Sequence, residues 1–174
     1  MGKVKLYIAT SLDGKIARSD GDVSWLDEVP NPNKEDYDYF AFYDSIGVTL
    51  MGNNTYQEIL GFDVEFPYKG KTNYVFSRNR ALKNDENVSY VNGDITSFVE
   101  SLKEKEEDIW LVGGGEIVAL FLNNNLVDEA LIFIMPVLLG EGIPLIGKLQ
   151  KDLPLKLIKT KTWKSGVIEL HYKL

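Results

Sequence analysis

The chain has 174 residues, a length suited to one domain, and a hydrophobic fraction of 44% that can fill a sizeable core. Its formal net charge of -7 argues against nucleic acid or an anionic membrane surface as partner, but not against an anionic small ligand held by local positive potential. With no cysteine and one histidine, His171, the chain has no disulfide, thiolate metal site or cysteine nucleophile, and no metal is expected. The start reaches the turn at Asp13-Gly14 too soon for an apolar signal core. The longest apolar run, 130–139, is too short to span a membrane and contains Pro136, so the cytoplasm is the default expectation.

Strands and helices alternate along the chain. Residues 4–10 read as a strand that ends in the Asp13-Gly14 turn, and residues 34–45 as a helix rich in aromatics. Residues 48–51 form a short apolar run suited to a buried strand, after which Asn53 or Asn54 can cap a helix that runs to Gly61. Residues 73–77 and 88–91 read as strands. A helix follows over 96–105, with Ile95, Phe98, Val99 and Leu102 at helical spacing, and the charge run 103–108 suits its solvated end. Residues 108–112 are a strand that leads through three glycines into a helix over 116–123. Residues 131–135 form the next strand, and 155–163 with 167–173 a closing antiparallel pair turning at Ser165-Gly166. This alternation predicts an α/β domain with a mixed, mostly parallel sheet flanked by helices.

Four segments carry chemistry. In DIWLVGGGEIVALFL (108–122), Gly113, Gly114 and Gly115 permit close approach to the backbone, and the helix behind them offers free N–H groups to a phosphate. The bland alternative is a tight turn that needs glycine for packing. LMGNNTYQEIL (50–60) repeats the strand–glycine–helix pattern, or is an ordinary capped helix. IATSLDGKIA (8–17), followed by Trp25, reads either as a hairpin-like turn or as a mobile loop over a ligand. KEDYDYFAFYDSI (34–46) places Glu35, Asp36, Asp38 and Asp44 among five aromatics. Most such carboxylates are surface charges, but one on an inward face would pair with the N–H groups of a heterocycle.

In the order SLDGKIA, MGxxTY, VFSR (75–78), VGGGE and VDEALIFIMPVLLGEGIPLI (127–146), the chain resembles the dihydrofolate-reductase-like superfamily. Within it, the chain is most similar to the reductase domain of riboflavin biosynthesis. The resemblance covers residues 3–174 and implies a single reductase domain over 1–174, with a dihydrofolate-reductase-like fold closed by a C-terminal antiparallel hairpin. It implies NADPH as cofactor, with NADH not excluded, a small-molecule substrate, and a homodimer. The apolar run 130–139 offers a face for that dimer.

Carried over position by position, the resemblance places Gly113, Gly114, Gly115 and Glu116 at the pyrophosphate and nicotinamide ribose. It gives Gly52, Asn53 and Thr55 to the second phosphate-binding junction, with Ser77 and Arg78 near the adenosine ribose and its 2′-phosphate. Ala9 and Ile16 fall beside the nicotinamide ring. Counting back from Gly52 without gaps, Asp36 takes the superfamily's acidic position, for substrate anchoring and proton transfer. Phe40 becomes the stacking aromatic of the same helix, and Trp25 an edge of the substrate site.

Two positions depart from the pattern. Asn53 stands where the junction usually has arginine, leaving Arg78 and Arg80 as nearby cations. Gly113 stands where riboflavin-pathway reductases usually have glutamate, as in dihydrofolate reductases. The substrate therefore stays open among the ribosylamino-pyrimidine of the riboflavin pathway, dihydrofolate or a related pterin, and an unassigned carbonyl or imine. A nucleotide-binding protein without turnover is the alternative from another class. The zinc deaminase half of bifunctional riboflavin enzymes is excluded, because it needs cysteines.

Overall fold

The computed structural model describes residues 1–174. In chain order the elements are β1 (Val4–Ser11), β2 (Lys15–Ala17), α1 (Tyr39–Asp44), β3 (Ile46–Gly52), α2 (Asn53–Leu60), β4 (Thr72–Phe76), β5 (Ser89–Val91) and α3 (Ile95–Lys103). They continue with β6 (Asp108–Gly113), α4 (Gly115–Asn123), β7 (Glu129–Met135), β8 (Ile143–Pro144), β9 (Lys156–Thr162) and β10 (Ile168–Lys173). An eight-stranded sheet has the order β5-β4-β3-β6-β1-β7-β10-β9, and β2 pairs with β8 in a small second sheet. The main sheet is parallel from β5 to β7, and β10 and β9 close it antiparallel. No helix is long and apolar enough to cross a membrane.

Buried parallel strands explain the short apolar runs in the sequence. In β3 every residue but Gly47 is buried. Side chains alternate between two cores. Val4, Leu6, Val48, Leu50, Ile109 and Leu111 point toward α3 and α4, where they meet Val99, Val118 and Phe121. Met51, Val75 and Trp110 point to the other side, where they meet Phe42, Tyr56 and Ile59 of α1 and α2. Helix α3 begins as its sequence demands: Asp94 accepts from Thr96 N at 3.0 Å and Ser97 N at 3.3 Å, an ordinary side-chain cap.

Three expectations are corrected. The aromatic helix predicted over 34–45 starts only at Tyr39, because Lys34, Tyr37 and Asp38 have φ of 51°, 55° and 61°, which no right-handed helix accommodates. The connection after β1 is not a hairpin, since β2 does not pair with β1. Its return strand β2 pairs with β8, and Asp13 accepts bonds from Leu139 N at 3.0 Å and Gly140 N at 2.7 Å. Residues 130–135 of the run offered as a dimer face lie in β7, an interior strand held between β1 and β10, which is why they are apolar.

Candidate active site

Parallel strands bring their C-terminal ends to one edge, the usual place for ligands in open α/β sheets. Here that edge gathers Ala9, Thr10 and Ser11 from β1, Gly52 from β3, Ser77 beyond β4 and Gly113 from β6. Two helices start there, and both lack a side-chain cap: α2 behind Gly52 and α4 behind Gly114. Their first N–H groups carry the positive end of the helix dipole, with no carboxylate or hydroxyl from the chain itself to cap them.

The glycines are there for space as well as conformation. Gly113 has φ +124°, a region that favours glycine, and its peptide to Gly114 is cis. A Cβ on Gly114 would stand 3.3 Å from Thr55 Oγ1 and 3.9 Å from Ile16 Cδ1. Three sites distant in sequence therefore meet at one point: the glycine turn, the start of α2 and the return of the β1–β2 loop. A Cβ on Gly52 would lie 2.8 Å from Ile117 Cγ1, so that glycine lets α4 pack against the end of β3. Gly115 is tighter still, against the carbonyl oxygen of Pro144, and its own carbonyl accepts from Gly147 N at 3.0 Å.

Around this point the other predicted residues take different places. Asn53 accepts the Tyr90 hydroxyl at 3.2 Å and so is partly occupied. Ser77 Oγ accepts from Asn79 N at 3.1 Å, while Arg78 is exposed and makes no ion pair. Glu116 is exposed in the first turn of α4, where its charge favours hydroxyl groups of a ligand over phosphate.

The substrate side departs furthest from the sequence-based expectation. Asp36 is exposed and precedes α1 instead of lying on it, and its carboxylate accepts from Asp38 N at 3.2 Å and Phe40 N at 3.4 Å. The enclosed aromatic pocket expected around it is absent. Phe40 is 67% exposed, and Trp25, expected at an edge, is 1% exposed in a core with Val29, Phe133, Met135 and Val167.

Two polar groups that sequence patterns do not single out matter here. Asp13 accepts the Ser11 hydroxyl at 2.6 Å as well as the two backbone N–H groups, and these bonds, the hydroxyl's first, bring its pKa down to about 2. It thereby ties the turn that carries Ile16 to the loop after β7. Tyr7 lies two residues before Ala9 on the same face, stacks on Phe42 at 4.2 Å and donates its hydroxyl to the Tyr37 carbonyl at 3.1 Å. Burial, and then the charges of Asp36 and Glu169, push the Tyr7 hydroxyl's pKa up.

Comparisons with known proteins agree with this architecture. Residues 63–168 match the family model of the RibD C-terminal domain. The uncharacterized protein YwjB of Bacillus subtilis (strain 168) is 40% identical, with 98% of this chain and 97% of that protein covered. The crystal structure of a putative riboflavin biosynthesis protein from Shewanella sp. PV-4 superposes with a TM-score of 0.87 at 32% identity, covering 98% of both chains. Dihydrofolate reductase from Enterococcus faecalis, solved with NADP(H) and RAB-propyl, shares the fold with a TM-score of 0.72 at 16% identity, covering 99% of this chain and 96% of that one.

Proposed function

This chain belongs to the RibD C-terminal domain family, and we propose that it is an NAD(P)H-dependent reductase acting on a small pteridine, pyrimidine-ribosyl or related carbonyl or imine substrate. One observation carries the reading: two uncapped helix N-termini, each led by glycine, converge where Gly114 meets Thr55. Such a cradle fits a pyrophosphate, since its donors lack protein partners and its glycines leave room for oxygen atoms against the backbone. The dinucleotide, when bound, supplies the hydride.

The chain's own residues bind, orient and exclude water. Gly113, Gly114 and Gly115 with Gly52, Asn53 and Thr55 hold the phosphates; Glu116 takes ribose hydroxyls. Ser77 and Arg78 hold the adenosine end, and Arg78, an exposed cation without an ion-pair partner, favours a 2′-phosphate. Ala9 and Ile16 flank the reacting ring, and the Asp13 clamp fixes the turn that carries Ile16.

Asp36, exposed just before α1, is the carboxylate we assign to assist the proton. Asp36→Asn is expected to lower turnover by about 10²-fold with NADPH affinity unchanged, the usual scale of acid assistance. The control, Asp44→Asn, is expected to leave turnover unchanged. Steady-state rates of NADPH oxidation equal to the parent in both variants would remove Asp36 from the reaction.

For a homodimer, the exposed apolar residues of the terminal hairpin, Leu155, Leu157, Ile158 and Ile168, replace β7 as the contact surface. Light scattering at micromolar concentration is expected to give twice the 19.7 kDa chain mass, and a monomer mass overturns the assembly.

A further inference from the structure

Glu169, on β10, is the one charged residue in the buried interior, at 3% exposure. Its Oε2 accepts no hydrogen bond; its ion-pair partner, Lys159 Nζ, stands 3.6 Å away on a half-exposed side chain, and Lys161, opposite it on β9, turns its ammonium to Asp38. A carboxylate taken out of water without donors is costly, so the position needs a reason.

The register shows which way Glu169 faces. It lies opposite Phe133 on β7, and Phe133 lies opposite Ala9 on β1. Cross-strand partners project to the same face, so the three form one row, with Glu169 about 10 Å from Ala9 at two inter-strand spacings of about 4.8 Å. Aromatic rings wall this row: Phe133 and Tyr37 pack on Trp163 with centroids 5.8 and 5.3 Å away. The Tyr7 hydroxyl, within electrostatic reach of both Asp36 and Glu169, lies on the same face.

A short cover lies over the row. It is the segment before α1, with its left-handed Lys34, Tyr37 and Asp38. Few bonds pin it: Lys161 Nζ to Asp38 Oδ2 at 2.6 Å, the Tyr37 hydroxyl to Ser165 Oγ at 3.2 Å, and the Tyr7 hydroxyl to the Tyr37 carbonyl.

We propose that Glu169 is the deep substrate anchor, whose free carboxylate oxygen takes the N–H groups of a planar, amino-substituted heterocycle that enters along the Ala9–Phe133 row as the Tyr37 segment lifts. An ionised carboxylate only accepts hydrogen bonds, so its complement is a cluster of N–H donors. The aromatic walls select a flat ring. The proposal rests on the reductase reading for the reacting end at Ala9, and it gives the grip on the heterocycle to buried Glu169.

Calorimetry with triaminopyrimidine and, separately, with NADPH tests it on the parent, Glu169→Gln and Ser165→Ala. The parent is expected to bind both ligands. Glu169→Gln weakens triaminopyrimidine about tenfold or more, the scale of a lost charge-assisted bond, with NADPH affinity unchanged. A merely structural carboxylate would shift the melting temperature without that selective loss. Ser165→Ala, which removes the tether of the Tyr37 hydroxyl without touching a charge that faces Glu169, loosens the cover and tightens triaminopyrimidine binding.

Equal affinity of the parent and Glu169→Gln for triaminopyrimidine overturns the anchor, as does a parent that does not bind it. If Glu169→Gln does not fold, Ser165→Ala decides, and unchanged binding in it overturns the proposal. Triaminopyrimidine binding that depends on Glu169 in a protein that does not bind NADPH supports the anchor and sinks the reductase reading. The reverse pattern sinks the anchor alone.

Discussion

Gly114→Asp is expected to weaken NADPH binding by at least about 100-fold, or about 2.7 kcal/mol, while leaving the fold intact. Gly114 has φ -74°, an ordinary value, so the backbone tolerates a side chain. What does not tolerate it is the cradle. The new Cβ would sit 3.3 Å from Thr55 Oγ1, and the carboxylate behind it would reach the space between the starts of α2 and α4. There it would accept the free N–H groups of the two helix starts and repel the charge of a phosphate. Gly114→Ala separates the two effects: it adds the close contact without the charge and should cost far less. Calorimetry giving parent affinity for Gly114→Asp would place the cofactor elsewhere.

Gly115→Ala is expected to act on fold and function together. Its Cβ would collide with the backbone carbonyl of Pro144 and lie 3.3 Å from that of Leu145, and neither belongs to a flexible side chain. Either α4 or the strand β8 segment must shift. Overpacking of this kind costs about 1–3 kcal/mol. For a domain of this size that lowers the melting temperature by roughly 2–4 °C per kcal/mol. Because α4 supplies half of the cradle, NADPH affinity falls in the same variant. A melting curve that superposes on the parent's would show that the α4–β8 contact is looser than the geometry indicates.

Much of the fold was legible because its signals are local. The strands read as apolar runs, since parallel strands buried on both faces need little else, and α3 announced itself by helical spacing. The two glycine-led junctions were equally readable, because glycine between a buried strand and a helix start serves either close packing or close approach of a ligand. What was hidden depends on pairings remote in sequence. Nothing around Lys15 signals that it will pair with Pro144 in a second sheet, or that Asp13 will reach Leu139 and Gly140.

The start of α1 was misread because left-handed backbone at Lys34, Tyr37 and Asp38 leaves no mark on polarity or spacing. Trp25 read as an amphipathic edge, yet it became core because Phe133, Met135 and Val167, far along the chain, cover it. Glu169 did leave a trace. In the closing strand it shares a period-two row with Val167, which is fully buried, and a charge in that row is the anomaly a strand pattern can reveal.

The most direct measurement is NADPH oxidation across a panel of pterins, amino-pyrimidines and small carbonyls, run beside NADH, with the parent protein and Gly114→Asp. The account predicts turnover of at least one substrate, a preference for NADPH carried by Arg78, and loss of that turnover in Gly114→Asp. A parent that binds NADPH but oxidises it with no compound in the panel would contradict the reductase reading and leave a nucleotide-binding protein without turnover.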